Sequence, residues 1–360
     1  MLLYLHPTRR EAITASGTTL TRWSLTTNPS TILTRVSTDP SPIFEYMYNQ
    51  SGRLVEHGGI TRSPDGELFA LQQPTPPDSR PPDPSVIEWR RLDDLLPART
   101  ATVPGTGCPI MSMDCSLDSR WLVMDNDEDI FLLDWHTGEV ISRHFSGGYA
   151  TSGLAFDPTS TFVAGLSFSD GGGCLKLWRL DPAERFVARP VREDWLSHTF
   201  VPQDVVSGNM GLTLMHEDLD RTNITWTDRD LADTACLTTF SSDSRTVVFA
   251  LTSAYSKCGM ELVAYDVPSG RRRWCTRSEE EHWGRGVFAP DGRSLIVPME
   301  ENQLFVYRVE DGTLIQRLPI ALDEAVQALA FDHDGRTLWL ASEGELVQYS
   351  GYTHEEVLYQ

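Results

Sequence analysis

Nine histidines are the first residues to consider for chemistry, because imidazole serves both acid–base catalysis and metal binding. They are scattered singly along the chain, and His6, His136 and His333 fall in segments typical of turns. No GxGxxG, P-loop, HExxH or GxSxG motif occurs in the sequence. The sequence therefore assigns no catalytic, cofactor-binding or metal-binding residue, and it predicts no cofactor and no enzyme activity.

Two charged segments invite a more specific interpretation. Asp125-Asn-Asp-Glu-Asp129 resembles the start of a calcium loop, since alternate carboxylates can converge on a hard cation. Ile130 stands where such a loop needs glycine, so we interpret the segment as the charged tip of a hairpin. Arg271-Arg-Arg273 is interpreted as the start of an outer strand, where positive side chains discourage edge-to-edge pairing.

The overall charge narrows the class of partner. The 360 residues include 30 Lys and Arg against 51 Asp and Glu, a formal net charge of −21. A polyanion is repelled by such a surface, so nucleic acid is not expected as a partner. The apolar start of the chain is too short for a signal peptide, and no run of 18 uncharged apolar residues follows. These patterns predict a cytoplasmic protein with no membrane segment.

The six cysteines show no CxxC spacing and mostly occupy strand-like segments. We therefore expect buried, reduced thiols rather than a disulfide framework.

A recurring unit dominates the rest of the sequence: an apolar strand, a tight polar turn, a second apolar strand, and a third strand that ends in an aromatic residue. Asp, Gly, Ser and Pro in the turn supply the local hydrogen bonds and the positive φ that a reversal needs. Five clear copies of the turn are Cys115–Arg120, Phe156–Ser160, Phe240–Arg245, Phe288–Arg293 and Phe331–Arg336.

The third strands follow these turns in phase, and further turns after them begin a fourth strand, so each unit is predicted to be a four-stranded meander. Third strands ending in an aromatic are Leu175–Trp178, Leu262–Tyr265, Leu304–Tyr307 and Leu346–Tyr349.

Fainter copies fill the remaining intervals. Leu5–Arg9 and Thr19–Trp23 make a first unit that begins at Met1, while Phe200–Asp204 and Gly211–Met215 suggest a degenerate unit within 193–233. We count eight units on this basis. A count of seven units, the commonest number for such folds, would follow if 193–233 were an insertion instead of a blade.

The second unit has two candidate turns, Tyr48–Arg53 and Arg62–Glu67, and its third strand, Val86–Trp89, comes late. The six prolines of 74–84 exclude the interior of a sheet and predict a stiff loop that projects from this N-terminal blade.

A period of roughly 42 residues with four strands per unit is expected for the blades of a β-propeller. The chain resembles the WD-repeat family over nearly its whole length. The resemblance lies in Phe-x-Pro-Asp-Gly turns and in third strands that end in aromatic–acid pairs such as Tyr265-Asp266, although no complete Trp-Asp signature occurs. It implies an all-β propeller of four-stranded antiparallel blades, with 1–360 as a single domain.

The function that this fold implies is a non-catalytic scaffold that binds a protein partner through loops on a rigid ring. The alternative is a propeller enzyme, lactonase-like or quinone-dependent dehydrogenase-like, acting on a small molecule in the central channel. Such an enzyme would need His, Glu or Arg side chains that converge on the channel.

Topology also divides the loops between two faces of the disc. The loops between strands two and three and the loops between blades share one face, on which we place a carboxylate-rich surface for a basic protein segment. Within-blade loops contribute Asp125, Asp127, Glu128 and Asp129. The predicted partner-binding residues are Glu279, Glu280, Glu281, Trp283, Glu300, Glu301, Asp323 and Glu324.

Two structural expectations follow from the repeat. The aromatic residues before the turns, Phe156, Phe240, Phe288 and Phe331, should lie in cores between blades, because each occupies the same place in its unit. The segment 355–359 should complete the last blade and place the two ends of the chain side by side.

Overall fold

A computed structural model describes most of the chain. The described residues are 2–16, 19–27, 29–37, 44–48, 54–58, 60–73, 84–103, 110, 112–126, 129–145, 149–169, 172–180, 192–196, 232–253, 260–278, 286–299, 302–322, 324–332, 335–342 and 344–349. Regular structure in these ranges consists of antiparallel strands grouped in seven sheets.

The N-terminal sheets follow one another along the chain. Blade 1 contains β1 (Leu2–Leu5), β2 (Glu11–Ser16), β3 (Thr19–Ser24) and β4 (Thr31–Ser37). A hairpin of β5 (Phe44–Tyr48) and β6 (Leu54–Gly58) joins the sheet of blade 3. Blade 2 contains β7 (Ile60–Arg62), β8 (Leu68–Gln72), β9 (Ser85–Arg91) and β10 (Pro97–Val103).

The middle of the chain forms two further blades. Blade 3 contains β11 (Ser112–Cys115), β12 (Trp121–Asn126), β13 (Asp129–Asp134) and β14 (Val140–Phe145), and blade 4 contains β15 (Tyr149–Phe156), β16 (Phe162–Ser169), β17 (Gly172–Arg179) and β18 (Arg192–Leu196).

Three blades complete the described structure. Blade 5 contains β19 (Ala232–Phe240), β20 (Thr246–Ser253), β21 (Met260–Asp266) and β22 (Arg271–Ser278); blade 6 contains β23 (Val287–Phe288), β24 (Ser294–Met299), β25 (Gln303–Arg308) and β26 (Leu314–Pro319); blade 7 contains β27 (Ala328–Phe331), β28 (Leu338–Ser342) and β29 (Glu345–Tyr349).

Strand order within each blade follows the sequence, so the first strand is innermost and the fourth is outermost. Neighbouring first strands contact one another around a central axis. Every residue of β24 is buried, whereas only one residue of the outer strand β26 is buried. This gradient explains why the middle strands are almost wholly apolar, since both of their faces meet a neighbouring blade.

Side chains at the start of each turn hold the first and second strands together. The Ser116 hydroxyl accepts a hydrogen bond from the Trp121 backbone N–H at 2.8 Å, and Ser241 does the same for Thr246 at 2.9 Å. The carboxylate of Asp157 takes this role in blade 4, where it accepts from the Phe162 N–H at 2.6 Å. These residues favour local turns because their side chains can replace a backbone acceptor.

Seven separate apolar cores lie between the blades, one at each junction. The core between blades 4 and 5 contains Phe240 and Phe249, and the core between blades 7 and 1 contains Trp339 and Trp23. The backbone N–H of Ser30 also donates to the carbonyl of Leu346 at 3.0 Å. The ring therefore closes between the first and last blades. The segment 355–359, expected as a closing strand, lies outside the described residues.

The predicted count of eight blades is wrong, and the alternative of seven is correct. Ala164 and Leu177 of blade 4 pack directly against Val247 and Tyr265 of blade 5, so no blade stands between them. Part of the interval 193–233 belongs to β18 and β19, and the repeat-like segments at 200–204 and 211–215 lie outside the described residues. The expectation that 193–233 forms an additional blade is therefore wrong.

The ambiguity of the second unit is resolved by the sheet pairing. Arg62–Glu67 forms the turn of blade 2, and the predicted third strand lies in β9. The other candidate turn, Tyr48–Arg53, lies outside the described residues except for Tyr48 at the end of β5. Strands β5 and β6 pair as a hairpin that extends the sheet of blade 3, where Gly58 pairs in parallel with Ser112. The proline-rich residues 74–83 lie outside the described residues.

The aromatic residues before the turns lie in the cores as predicted. Phe156, Phe240 and Phe288 are buried in three successive junctions, and Phe331 packs, partly buried, against the junction of blades 6 and 7. The cysteines agree less well with expectation, because Cys115 is buried but Cys275 is exposed.

Glycines in the outer turns allow a close approach between blades. Gly312 has φ +73°, and a Cβ built there would lie 2.5 Å from Trp274 of the preceding blade. The Trp274 indole N–H donates to the carbonyl of Val309 at 2.7 Å, and the Thr276 hydroxyl donates to that of Gly312 at 2.9 Å. This turn therefore locks blade 6 onto blade 5.

We expect Gly312→Ala to lower the free energy of unfolding by about 3 kcal/mol, because left-handed strain and steric overlap with Trp274 add together. Gly292→Ala is the matched control, since Gly292 has φ +68° but its nearest contact is Ser242 Oγ at 3.5 Å. The control should lose only about 1 kcal/mol. Urea unfolding measures both, and equal losses would contradict the locking role of Gly312.

Phe240→Ala should destabilise the protein by about 3 to 5 kcal/mol through the cavity left between blades 4 and 5. Leu117→Ala is the control, because Leu117 is 58% exposed and should change stability by less than about 0.5 kcal/mol. A loss below about 1 kcal/mol at Phe240, measured by urea unfolding, would show that its junction is not tightly packed.

Candidate functional site

Most of the predicted partner-binding residues cannot be placed. Glu279, Glu280, Glu281, Trp283, Glu300, Glu301 and Asp323 lie outside the described residues. Glu324, in the connection between β26 and β27, is exposed. The strands that precede these residues, β22, β24 and β26, end at the same face of the disc. We call this face, which carries the β2–β3-type loops and the connections between blades, the loop face.

Two other carboxylates expected on the loop face are not available there. Asp125 and Asp129 lie at the ends of β12 and β13 and are 1% and 5% exposed. Asp129 forms an ion pair with Arg143 of β14. The hairpin interpretation is confirmed, but the expectation that these two aspartates face a partner is wrong, because the paired strands and the adjacent arginine cover them. Asp127 and Glu128 lie outside the described residues.

The opposite face carries the turns between the first and second strands and between the third and fourth, and we call it the turn face. Four arginines of this face, Arg120, Arg245, Arg293 and Arg336, are exposed, each in the first turn of its blade. Aspartates of the same turns accompany them, as when Asp243 accepts a hydrogen bond from the backbone N–H of Arg245 at 3.0 Å.

One residue breaks the repeat at the end of the innermost strands. Each first turn begins with a capping residue, such as Ser116, Asp157 or Ser241. We call the residue immediately before it, the last residue of the first strand, the pre-turn position. In the cores described above, the side chain at this position points toward the preceding blade. Its occupants in blades 1 to 7 are Leu5, Arg62, Cys115, Phe156, Phe240, Phe288 and Phe331. Blade 2 therefore has a guanidinium where the other blades have an apolar side chain or a thiol.

Arg62 lies at the inner junction between blades 1 and 2, partly buried. One guanidinium nitrogen donates to the carbonyl of Leu5 at 3.3 Å, and the guanidinium carbon lies 5.6 Å from the centre of the Tyr4 ring. Burial lowers the pKa of Arg62, and the nearby Tyr4 and Asp114 act in the opposite direction. Arg62 makes no ion pair with any described residue.

His6 lies at the same junction, at the turn-face end of β1, and is only 5% exposed. Its Nδ1 accepts hydrogen bonds from the backbone N–H groups of Arg9 at 3.0 Å and Thr8 at 3.2 Å. Because Nδ1 is an acceptor, the ring proton of the neutral imidazole sits on Nε2. That Nε2 is buried and has no hydrogen-bond partner among the described residues.

Side chains link blades 1 and 2 at the inner end of this junction. The Tyr4 hydroxyl donates to the carbonyl of Ile60 at 3.3 Å, while Arg62 bonds back to blade 1. We call the group formed by Tyr4, His6 and Arg62 the blade 1–2 seam.

Asp114 of blade 3 is a further charged residue near Arg62. One carboxylate oxygen accepts from the backbone N–H of Phe156 at 2.7 Å, and the other accepts from the Cys115 N–H at 2.9 Å and the Thr61 hydroxyl at 3.4 Å. The carboxylate is therefore committed to holding blades 2, 3 and 4 together. It contributes negative charge near Arg62 without forming an ion pair with it.

Sequence reasoning missed the seam although a signal was present. Arg62-Ser-Pro-Asp-Gly66 aligns with Phe288-Ala-Pro-Asp-Gly292, so the arginine replaces phenylalanine at the pre-turn position. Recognition of this departure required the register of the second unit, which the two competing turns left open. The contribution of His6 could not be inferred from the sequence, since its burial depends on packing against blade 2.

No metal-binding cluster is found within the described ranges, where no three His, Cys, Asp or Glu side chains converge. A helix long and apolar enough to cross a membrane is likewise absent from the part of the chain that the structure describes.

The seam gives the protein a specific pH dependence. Burial, and next the positive charge of Arg9, lower the pKa of His6, while Glu11, Glu67 and Asp93 oppose this. The folded state therefore binds this proton less readily than the unfolded state, in which the pKa is near 6.5. Stability from His6 is present above that pH and is lost as the pH falls through the lower folded value.

We expect His6→Asn to flatten the decrease in urea midpoint that the wild-type protein shows from pH 7.5 to pH 5. His136→Asn is the control, because His136 is exposed in the outer turn of blade 3. The control should keep the wild-type slope. Identical slopes for all three proteins would show that His6 does not remain neutral on folding.

Comparison with known proteins places the fold. No protein-family model matches the chain, and no curated protein matches it. Many solved chains are similar in structure. One belongs to the "Crystal Structure of Mitotic Checkpoint Complex", with a TM-score of 0.60 and 12% sequence identity over 94% of this chain and 82% of that chain. At this identity the likeness shows the fold alone, which is a β-propeller of four-stranded antiparallel blades.

Proposed function

We propose that the protein is a non-catalytic, cytoplasmic propeller scaffold that binds a protein partner through its loop face. The partner surface includes Glu279, Glu280, Glu281, Glu300, Glu301, Asp323 and Glu324, with Trp283 as an apolar anchor. In this proposal the carboxylates steer a basic segment to the face, and Trp283 supplies most of the affinity once the partner covers it.

The observation that carries the proposal is the rigid closed ring. Seven apolar cores join successive blades, and the core between blades 7 and 1 leaves no free blade face at either end. Such a framework fixes the ends of the strands and hence the positions from which the loops start. Binding loops lose less entropy on association when a rigid framework holds them.

The distribution of charge supports the choice of face. Exposed arginines of the turn face stand beside aspartates of the same turns, as Arg293 and Asp291 do. The partner-binding residues named above contain seven carboxylates and no basic side chain. An excess of negative charge concentrated at one face favours a basic partner over a neutral one.

The structural comparison is consistent with this role. The similar chain described above was solved within a complex, so a fold of this kind can work in an assembly of proteins. For the present chain this supports a binding role without identifying the partner.

The test compares two triple variants with equal changes of charge. Glu279→Arg, Glu280→Arg and Glu281→Arg alter the loop face, and Glu67→Arg, Glu139→Arg and Glu310→Arg alter exposed positions of the turn face. Immobilised wild-type protein is mixed with extract of its own cells, and captured proteins are quantified at low and high salt.

The loop-face variant should lose the captured proteins at least tenfold at low salt, and the turn-face variant should retain them. Capture by the wild type should also weaken as salt rises, because exposed charges are screened. Thermal unfolding checks that both variants remain folded. Equal capture by the wild type and the loop-face variant at low salt would disprove an acidic binding face.

A further inference from the structure

The hairpin of β5 and β6 lies at the loop-face end of the innermost strands. It extends the sheet of blade 3 to six strands, and β5 is the inner end of that sheet. Gly59 alone separates β6 from β7, and Gly58 pairs with Ser112, the first residue of β11. Both β7 and β11 are first strands, which begin at the loop face. The hairpin therefore stands on the loop face, near the axis of the ring.

The strand β5 has one paired edge and one open edge. Each of its five residues pairs with β6, from Phe44 with Gly58 to Tyr48 with Leu54. No other described strand lies beside its second edge. The backbone N–H and C=O groups along such an edge can pair with a further strand. We call this open edge of β5 the docking edge.

The outer edges of the blades differ from the docking edge. Five of the six described fourth strands show a shift of register against the third strand. Bulges and charged side chains are means by which proteins prevent another strand from pairing at an edge. The segment Phe44–Tyr48 contains no Lys, Arg or Pro, and it pairs with β6 without a shift. By contrast, every described fourth strand contains arginine: Arg35, Arg99, Arg143, Arg192, Arg271 and Arg317.

Other described edges without such protection have an occupant in the chain itself. The first strands of the other six blades each contact a neighbouring first strand around the axis. β29, the outermost described strand of blade 7, contains no Lys, Arg or Pro. The chain continues from β29 into 350–360, of which 355–359 is expected to complete that blade. The docking edge has no comparable segment assigned to it.

We propose that an extended, basic segment of the protein partner binds at the docking edge as an added strand. This inference rests on the proposed function and specifies how the partner binds. Charge favours a basic occupant, because 44–58 contains Glu45 and Glu56 against Arg53, and the whole chain has a net charge of −21. The same net charge opposes a second copy of this chain at the edge.

The sequence of β5 also indicates the composition of the partner segment. Alternate residues of a strand fall on one face, so Phe44, Tyr46 and Tyr48 share a face of β5. An added strand places its own alternate residues beside that face. Lysine or arginine at those positions can interact with aromatic rings, while backbone hydrogen bonds supply affinity. We therefore expect a segment that alternates basic residues with β-branched ones.

The first experiment uses the full chain and a blocked peptide of about eight residues in which lysine alternates with valine, long enough to pair along β5. Hydrogen exchange is followed by mass spectrometry. The peptide should slow exchange within 44–48 by about tenfold or more, because N–H groups of the docking edge gain acceptors. A peptide in which proline replaces valine has the same charge but cannot form the ladder, and it should leave exchange there unchanged.

Two kinds of variant test the place of binding. Replacement of 44–57 by a Gly-Ser linker of equal length removes the docking edge, and none of the described core residues lies in that range. This variant should keep the wild-type melting temperature and lose the peptide. Met47→Arg introduces the residue type found in the fourth strands, and Val55→Arg, at the paired position of β6, is the matched control. Peptide affinity should fall by about fivefold or more for Met47→Arg and by about twofold or less for Val55→Arg, since the added strand adjoins β5 and not β6.

Capture from cell extract separates this inference from the proposed function. Together with the peptide result, loss of captured proteins in both the Gly-Ser variant and the Glu279, Glu280 and Glu281 variant would support both proposals. Loss in the triple variant alone would overturn the docking edge and leave the acidic binding surface in place. Loss in the Gly-Ser variant alone would support the docking edge and remove those three glutamates from the binding surface.

Three further results would overturn the docking edge. The first is unchanged exchange within 44–48 when the lysine–valine peptide is present. The second is equal slowing by the proline peptide, which would show that charge alone accounts for binding. The third is self-association of the wild type, measured by sedimentation, that the Gly-Ser variant lacks. That result would assign the edge to a second copy of the chain.

Discussion

A four-stranded blade has two apolar faces, and neither can be buried until another blade packs against it. This constraint determines the rest of the structure. The largely buried middle strands, the glycines of the outer turns and the closure between blades 7 and 1 all serve the same inter-blade contacts. Because each blade is wedged between two neighbours, a side chain at a repeated position meets nearly the same surroundings in every blade. A departure from the repeat is therefore informative.

The sequence was sufficient to predict the class of fold, the third strands and the buried phenylalanines, since turn chemistry and apolar periodicity are local. It was not sufficient for the number of blades. Segments such as Phe200–Asp204 resemble a blade turn in residue type. Whether they form one depends on a contact across the ring, namely that Leu177 meets Val247 directly. No local pattern contains that information.

The acidic surface and the blade 1–2 seam differ in how they could be found. The acidic surface was inferred from loop topology, and of its predicted partner-binding residues only Glu324 lies within the described part of the chain. The seam was overlooked, because its significance lies in a comparison of Arg62 with Phe288 that needs the correct register. Charged residues in loops are common in an acidic protein, whereas an arginine at a core position is rare. The second kind of signal is the more specific one.

Closure between blades 7 and 1 also affects the order of folding during synthesis. Trp23 of blade 1 shares a core with Trp339 of blade 7, so the partner of the first blade is synthesised 316 residues later (339 − 23). At about 5 to 20 residues per second, that interval lasts roughly 16 to 63 s. During that time the apolar face of blade 1 that blade 7 later covers is exposed to water and to other nascent chains. The newly made protein is therefore most vulnerable to aggregation before its last blade leaves the ribosome.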